Sequence, residues 1–408
     1  MKLLFISNYF PPYGHGGYEE WCYEVAHHLR EQGDEIIVLT SEQTDVTGGD
    51  EPEWVQRKLH LETSLSGTHN AWLFFTQRQQ REAANLAELT GLIEGHQPDF
   101  VVVWGMWNLS KRLPALAEQI MPNRVVYYIG DYWLTLPNQH RVYWLTPTKN
   151  WLGNLPKMLL RRLALYLLSR DEAPPQLQLV HTLFPTAFMQ DELASRGFKG
   201  QQSAVVAGGV DVTPYQYQEP QLPVEKLNLL YVGRLMADKG VHILIPTLAE
   251  LVHRYQIPAE LVIVGSGGAE YEQRLRELVV EADVASRVVL AGRQEKGALP
   301  AFYARADMLL FPTIWEEPFG RVPVEAMANG VVVVGCATGG AADILQHEQT
   351  ALVVPVDDYE AMAKGIKRLY ETPALWRRLV TEAYERVQAR FTTKQMARGI
   401  RGYLEKVF

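Results

Sequence analysis

Short runs of apolar residues, many of them β-branched, recur along the first half of the chain. They are Lys2–Ser7, Glu35–Thr40, Phe100–Trp104, Val125–Ile129, Leu179–Phe184 and Ala204–Ala207. Helical spacing of apolar positions lies between several of them, as at Tyr18–Gln32 and Gln80–Glu94. Apolar strands alternating with helices predict a parallel sheet covered on both faces. The pattern then restarts, with strands expected at Leu227–Val232, Leu261–Val264, Arg287–Ala291, Met308–Pro312, Val331–Gly335 and Ala351–Pro355. Between the two series, Asp211–Lys226 holds Pro214, Pro220 and Pro223 among polar residues, the composition of a connection between domains. The boundary is expected near residue 208. Thr392–Phe408 reads as one amphipathic helix whose partner the pattern does not identify.

Composition narrows the class. At 408 residues the chain suits two α/β domains, and 47% hydrophobic with 21% charged residues describes a globular protein. No run of ~18 apolar residues offers a membrane span. The apolar start, Met1–Ser7, is too short for a signal peptide and leads into the turn-rich Asn8–Gly17, so it reads as a buried strand. Cys22 and Cys336 stand alone and far apart, which argues against a disulfide framework or a cysteine metal site, and the expected compartment is cytoplasmic. The net charge of −8 argues against nucleic acid as partner. An anionic ligand therefore needs local donors acting against that field.

Three segments offer such donors. Gly14-His15-Gly16-Gly17 lies between the first strand and a helix, where glycines let backbone approach an anion and the helix N-terminus attracts it. A dinucleotide fingerprint needs a third glycine where Glu19 stands, and Val264-Gly265-Ser266-Gly267 fails the same test at Glu270. Tyr231-Val232-Gly233-Arg234 through Lys239-Gly240 puts two cations at the carboxyl end of a strand, where open α/β sheets bind ligands. A tight turn or a solvated surface loop would read the same way. No histidine cluster has metal-ligand spacing, and His15, His140 and His181 read as structural or solvent-facing.

The most informative segment is Trp315-Glu316-Glu317-Pro318-Phe319-Gly320-Arg321-Val322-Pro323-Val324-Glu325-Ala326. Glu317 lies in a loop after a strand and Glu325 about two turns into the following helix. A carboxylate accepts several hydrogen bonds and so suits the vicinal hydroxyls of a sugar. With these two glutamates the chain resembles the retaining glycosyltransferases of family 4, which have the GT-B fold. The resemblance runs through Gly16-Gly17, Gly208-Gly209-Val210-Asp211, Gly233-Arg234, Lys239-Gly240, Val264-Gly265-Ser266-Gly267, Ala291-Gly292-Arg293, the paired glutamates, Gly339-Gly340 and Asp357, in the family's order.

That resemblance implies two Rossmann-like domains with parallel sheets facing a cleft. Residues 1–207 would bind the acceptor, 208–390 the nucleotide-sugar donor, and 391–408 would cross back onto the first domain. Arg234 and Lys239 would hold the donor diphosphate and stabilise its departure, with Glu317 completing the catalytic set. Gly16, Gly17, Gly233 and Gly265 would let backbone approach the donor. Glu317 would bind the transferred sugar, Glu325 the ribose, Phe319, Gly320, Arg321 and Val322 the sugar and phosphate, and Arg293 the base. The implied reaction is hexosyl transfer, of glucose or a related sugar, from a UDP-sugar to a glycan or lipid-linked glycan in polysaccharide biosynthesis. No cofactor or metal is implied, and no Asp-x-Asp occurs. A GDP- or ADP-sugar donor, or a catalytically silent nucleotide-sugar-binding protein, are the alternatives.

One position departs from the family. Gly130-Asp131 follows the strand after which the family carries a histidine that touches the donor sugar. Asp131 and Asn108 are the side chains expected to take over. Five of ten tryptophans, Trp104, Trp107, Trp133, Trp144 and Trp151, fall within residues 104–151. Trp104 reads as core, and Trp107 and Trp133 as walls of the acceptor cleft, since indoles stack on sugar rings. Leu155–Arg170 is Leu-rich with Lys157, Arg161, Arg162 and Arg170: a domain helix packing its Leu face inward, or a basic helix at the inner face of the membrane.

Overall fold

The computed structural model describes residues 1–14, 16–42, 52–66, 71–147, 151–171, 175–219 and 225–408, the side chains of 71 and 151–156 apart. His15, Pro220, Pro223 and the Trp151 side chain lie outside the described residues. The chain forms two compact units. One comprises Met1–Pro185, Met189–Val206 and Ala397–Phe408, the other Thr186–Phe188 and Ala207–Met396.

The first unit is built on seven strands: β1 (Lys2–Ile6), β2 (Glu35–Ser41), β3 (Val55–Leu59), β4 (Phe100–Val103), β5 (Val125–Tyr128), β6 (His181–Phe184) and β7 (Gln202–Val205). They lie parallel in the order β3-β2-β1-β4-β5-β6-β7. Phe5 of β1 is paired with Val38 and Val102 on its two sides. The runs Phe100–Val103 and Val125–Tyr128 are buried at every position, as strands covered on both faces must be. β3 was not expected. Its sequence Val-Gln-Arg-Lys-Leu buries only its two ends, because it is the outermost strand and packs one face. Helices cover the sheet, including Gly17–Glu31 and Ala71–His96. The helix Thr393–Val407 buries Ala397, Ile400 and Leu404, while Tyr403 bonds His181 and Arg401 pairs with Asp34.

The second unit carries β8 (Leu227–Val232), β9 (Ala259–Val264), β10 (Val288–Gly292), β11 (Met308–Phe311), β12 (Val332–Gly335) and β13 (Leu352–Val353). All are parallel, in the order β10-β9-β8-β11-β12-β13. In each sheet the chain runs outward from a central strand in one direction, then in the other. The reversal falls between β1 and β4 in the first unit and between β8 and β11 in the second. Loops diverge at the carboxyl ends of such neighbours and leave room for a ligand.

Candidate functional site

In the second unit, the loop after β8 and the loop after β11 are tied together by backbone. The Asp238 carbonyl accepts from the N–H groups of Ile314 and Trp315 at 2.9 and 2.8 Å. Gly240 has φ of +65°, and a Cβ there would stand 2.1 Å from the Pro312 carbonyl oxygen. Beside it, a Cβ on Gly265 would come within 1.8 Å of the Gly233 carbonyl oxygen, so the ends of β8 and β9 approach as closely as backbones can. Gly339 and Gly340 hold the glutamate loop in the same way: Gly340 N donates to the Glu317 carbonyl at 2.6 Å, and its Cβ would meet the Pro318 carbonyl at 2.2 Å.

This seating brings Lys239 and Glu317 together. Lys239 Nζ lies 2.5 Å from Glu317 Oε1, which also accepts from Thr313 Oγ1 at 3.2 Å. Both side chains are mostly buried, 14% and 16% exposed. Arg234 is exposed and Arg293 lies exposed after β10. The helix Arg321–Ala328 starts beyond Gly320, and Phe319 is buried behind it. The first turn of a helix directs backbone N–H groups and positive dipole outward, which makes that end attractive to an anion. Glu325, inside this helix, accepts from Tyr303 Oη at 2.9 Å and faces Arg321 Nε at 4.0 Å. Burial and the Glu325 charge push the Tyr303 phenol well above its ordinary range, so it stays a donor. Neither Thr313 nor Tyr303 carries any mark in the sequence beyond its residue type.

In the first unit, the helix Gly17–Glu31 begins after an extended Gly16. Glu19 turns back to this end: it is 5% exposed, accepts from backbone at Gly16 and from Trp107, and burial raises its carboxyl pKa. A carboxylate from the helix's own first turn thus occupies the anion-attracting terminus. The signal was present, as an acid three positions past a glycine cap, but Glu19 read only as a missing glycine.

The space around Gly130 explains the departure from the family pattern. A Cβ there would stand 2.9 Å from two ring carbons of Tyr18 and 3.0 Å from Trp21. The Tyr18 hydroxyl donates to the Tyr128 carbonyl, which fixes the ring in that place. Asp131 accepts from Trp133 N at 2.9 Å, and desolvation pushes its carboxyl up to about 7, with the Glu19 charge adding to the shift.

Two expectations for the first unit are corrected. Asn108 is completely buried, and its amide is spent on Thr63 N (2.9 Å), Thr63 Oγ1 (2.6 Å) and Tyr9 Oη (3.1 Å), so it braces the loop. Trp133 is 1% exposed with its ring near Tyr127, so it offers no open stacking face. Trp107 is half-buried beside Tyr9. Trp104 and Trp144 are buried in the core. His140 and His181 are buried, and desolvation lowers both their pKa values, His140 to about 4.

A family model described as Glycosyltransferase Family 4 matches residues 15–213, and one described as Glycosyl transferases group 1 matches residues 215–386. The chain belongs to glycosyltransferase family 4. Among its relatives is an uncharacterized glycosyltransferase of Methanocaldococcus jannaschii, 31% identical over 170 residues that make up 42% of each chain. The chain spans about half the length of the curated relatives it matches. Sucrose-phosphate synthase from Thermosynechococcus elongatus has the same fold, with a TM-score of 0.69 at 20% identity, covering 100% of this chain and 99% of that one. The Anabaena protein HepE, solved in complex with UDP-glucose, gives 0.66 at 18% identity, with both chains covered fully. The two parallel-sheet units are the GT-B fold of family 4.

Proposed function

We propose that this family 4 member transfers a hexose from a UDP-sugar to a hydroxyl group of a glycan or lipid-linked glycan, retaining the anomeric configuration and using no metal. The observation that carries this reading is the Lys239–Glu317 pair, held by backbone at the carboxyl ends of β8 and β11. Transfer breaks the bond from the anomeric carbon to the diphosphate oxygen, which keeps the electron pair. A bond to the acceptor oxygen forms, and the hydroxyl proton leaves with the diphosphate. Lys239 and Arg234 lie in one loop where they can stabilise the departing charge, and the start of helix Arg321–Ala328 can add backbone donors. Glu317 orients the sugar and supports positive character at its anomeric carbon. Glu325 binds the ribose.

The uridine nucleotide has a precedent within the fold in the Anabaena protein, seen with UDP-glucose. A thermal-shift panel with UDP, GDP and ADP tests it. A ligand at 100 times its dissociation constant adds about 2.7 kcal/mol of stability, and UDP is expected to give the largest shift. A larger shift with GDP overturns the donor assignment. Slow release of free hexose from the donor, unchanged by a chelator, distinguishes a metal-free transferase from a silent binding protein.

No described helix is long and apolar enough to cross a membrane. The helix Trp151–Arg170 nevertheless exposes apolar residues: Leu159 is 81% exposed, Met158 65%, Tyr166 53% and Leu163 50%. Arg161, Arg162 and Arg170 are exposed among them, while Ala164 and Lys157 face inward. The expected inward Leu face is thus only partly formed. An apolar surface set with arginines suits an anionic lipid surface, and peripheral contact there would bring the enzyme to a lipid-linked acceptor.

A further inference from the structure

The first unit contains a cavity of about 400 Å³ whose charge runs against that of the whole chain. Its lining carries five cationic side chains and three carboxylates, in a protein of net charge −8. Two of the carboxylates are already engaged. Asp171 takes Arg78 at 2.9 and 3.3 Å, and Glu82 takes Arg112 at 3.3 Å and the Ser110 hydroxyl at 2.5 Å. The third, Glu62, accepts from Asn138 Nδ2 and Gln139 N at 2.7 Å each, and burial pushes its carboxyl up to about 7. It therefore carries only part of a charge at neutral pH.

Of the remaining cations, Lys111 faces only the partly charged Glu62, and Arg81 and Arg141 form no ion pair among the described residues. Arg81 reaches only Ser64 Oγ and Gln77 Oε1, and Lys111 donates to the carbonyls of Leu134 and Leu136. Arg141 lies exposed at the rim. Burial lowers the Lys111 pKa, and the nearby Glu62 carboxyl opposes that shift only in part. Trp107 adds a half-buried indole to the same wall. A walled cavity with surplus positive charge concentrates anions, and an indole face takes a sugar ring.

We propose that this cavity receives the acceptor, and that the acceptor carries an anionic group, carboxylate or phosphate, next to a sugar ring lying against Trp107. The proposal rests on the transferase reading above and names the substrate class of its acceptor side. Arg81 and Arg141 are the anion-selecting residues.

Glucose, glucuronate and glucose 6-phosphate, titrated into the full chain and followed by ligand-observed NMR, test this, with UDP titrated in parallel. At least one of the two anionic sugars is expected to bind tenfold or more tightly than glucose. The stronger of the two identifies carboxylate or phosphate as the group selected. In Arg81→Gln/Arg141→Gln that preference should vanish while glucose binding to the first unit and UDP binding to the second both stay. Equal binding of glucose and both anions overturns the inference, as does undiminished anion preference in the double variant. UDP binding without any sugar binding also overturns it. Failure of the unaltered chain to bind any of UDP, GDP and ADP sinks the transferase reading itself, and the cavity's acceptor role with it.

Discussion

Lys239 Nζ sits 2.5 Å from Glu317 Oε1, so the side chain proposed for the donor diphosphate and the one proposed for the sugar neutralise each other. A diphosphate bound as proposed would compete with Glu317 for Lys239. The pairing links two roles that the sequence presents as separate.

Replacing Glu317 by Gln frees Lys239 while keeping the shape of the side chain. UDP is expected to bind at least as tightly as before, and turnover to fall about a hundredfold, since a charge acting on the transition state is lost. Glu325→Ala should instead weaken UDP about tenfold with a smaller effect on kcat. It should also cost about 1–3 kcal/mol of stability by leaving the buried Tyr303 hydroxyl unpaired. Calorimetric titration and donor-hydrolysis kinetics decide the matter. Loss of UDP binding in Glu317→Gln with retention in Glu325→Ala would reverse the assignment.

Arg234→Ala and Lys239→Ala should each weaken UDP at least tenfold while barely changing uridine, because both cations act on phosphate. Their stabilities should differ. Arg234 is exposed and its loss should leave Tm unchanged, whereas Lys239→Ala strands a mostly buried Glu317 and should lower it. Equal losses for UDP and uridine would place these residues away from the phosphates.

Glu62 and Asp131 both titrate near pH 7 in the folded chain because burial raises them from ordinary values near ~4. The folded state therefore holds protons that the unfolded state releases. The stability this gives is complete below pH ~4 and is lost as pH rises through 7. Thermal melts should show the first unit losing about 5 °C between pH 5 and pH 8. Glu62→Gln with Asp131→Asn should flatten that slope, and an unchanged slope would show that these groups are not buried as described.

Gly130→Ala places a methyl group 2.9 Å from the Tyr18 ring. A cost of about 1–3 kcal/mol is expected, largely relieved when Tyr18 is changed to Leu. Denaturant titration of the single and double variants measures the coupling, and additive effects would show that Tyr18 does not fill that space.

Aspartate at positions 159 and 163 should abolish sedimentation with phosphatidylglycerol vesicles and leave UDP binding intact. Phosphatidylcholine vesicles should bind the unaltered chain more weakly, because Arg161 and Arg162 lose their counter-charge. If the unaltered chain does not sediment with either, or if the variant converts a dimer to a monomer, the exposed helix face serves another purpose.

The central strands of the second unit are legible because they are buried apolar runs, and Leu227–Val232 has the ends that its residues suggest, whereas the outer strand β10 is only partly buried. β3 is not, since an edge strand with Arg57 and Lys58 has no such run. The glutamate loop and Lys239 are legible as segments, but not their ion pair, which joins residues 78 positions apart. Asn108 is misread because a polar residue in a loop looks available until Thr63 and Tyr9 are seen to consume it. The reason for Gly130 depends on where the Tyr18 ring falls, which only tertiary packing decides.

The loops that carry Lys239 and Glu317 are seated main chain against main chain, at Gly240, Gly265 and Gly340, where no side chain fits. The position of the site is therefore set independently of the side chains that give it chemistry. Residues 317, 321 and 322 can be exchanged without moving the cradle that presents them, whereas any exchange at the glycines moves the cradle itself. With the site serving as proposed, donor preference should be open to alteration by libraries confined to those three positions, screened on an unaltered backbone.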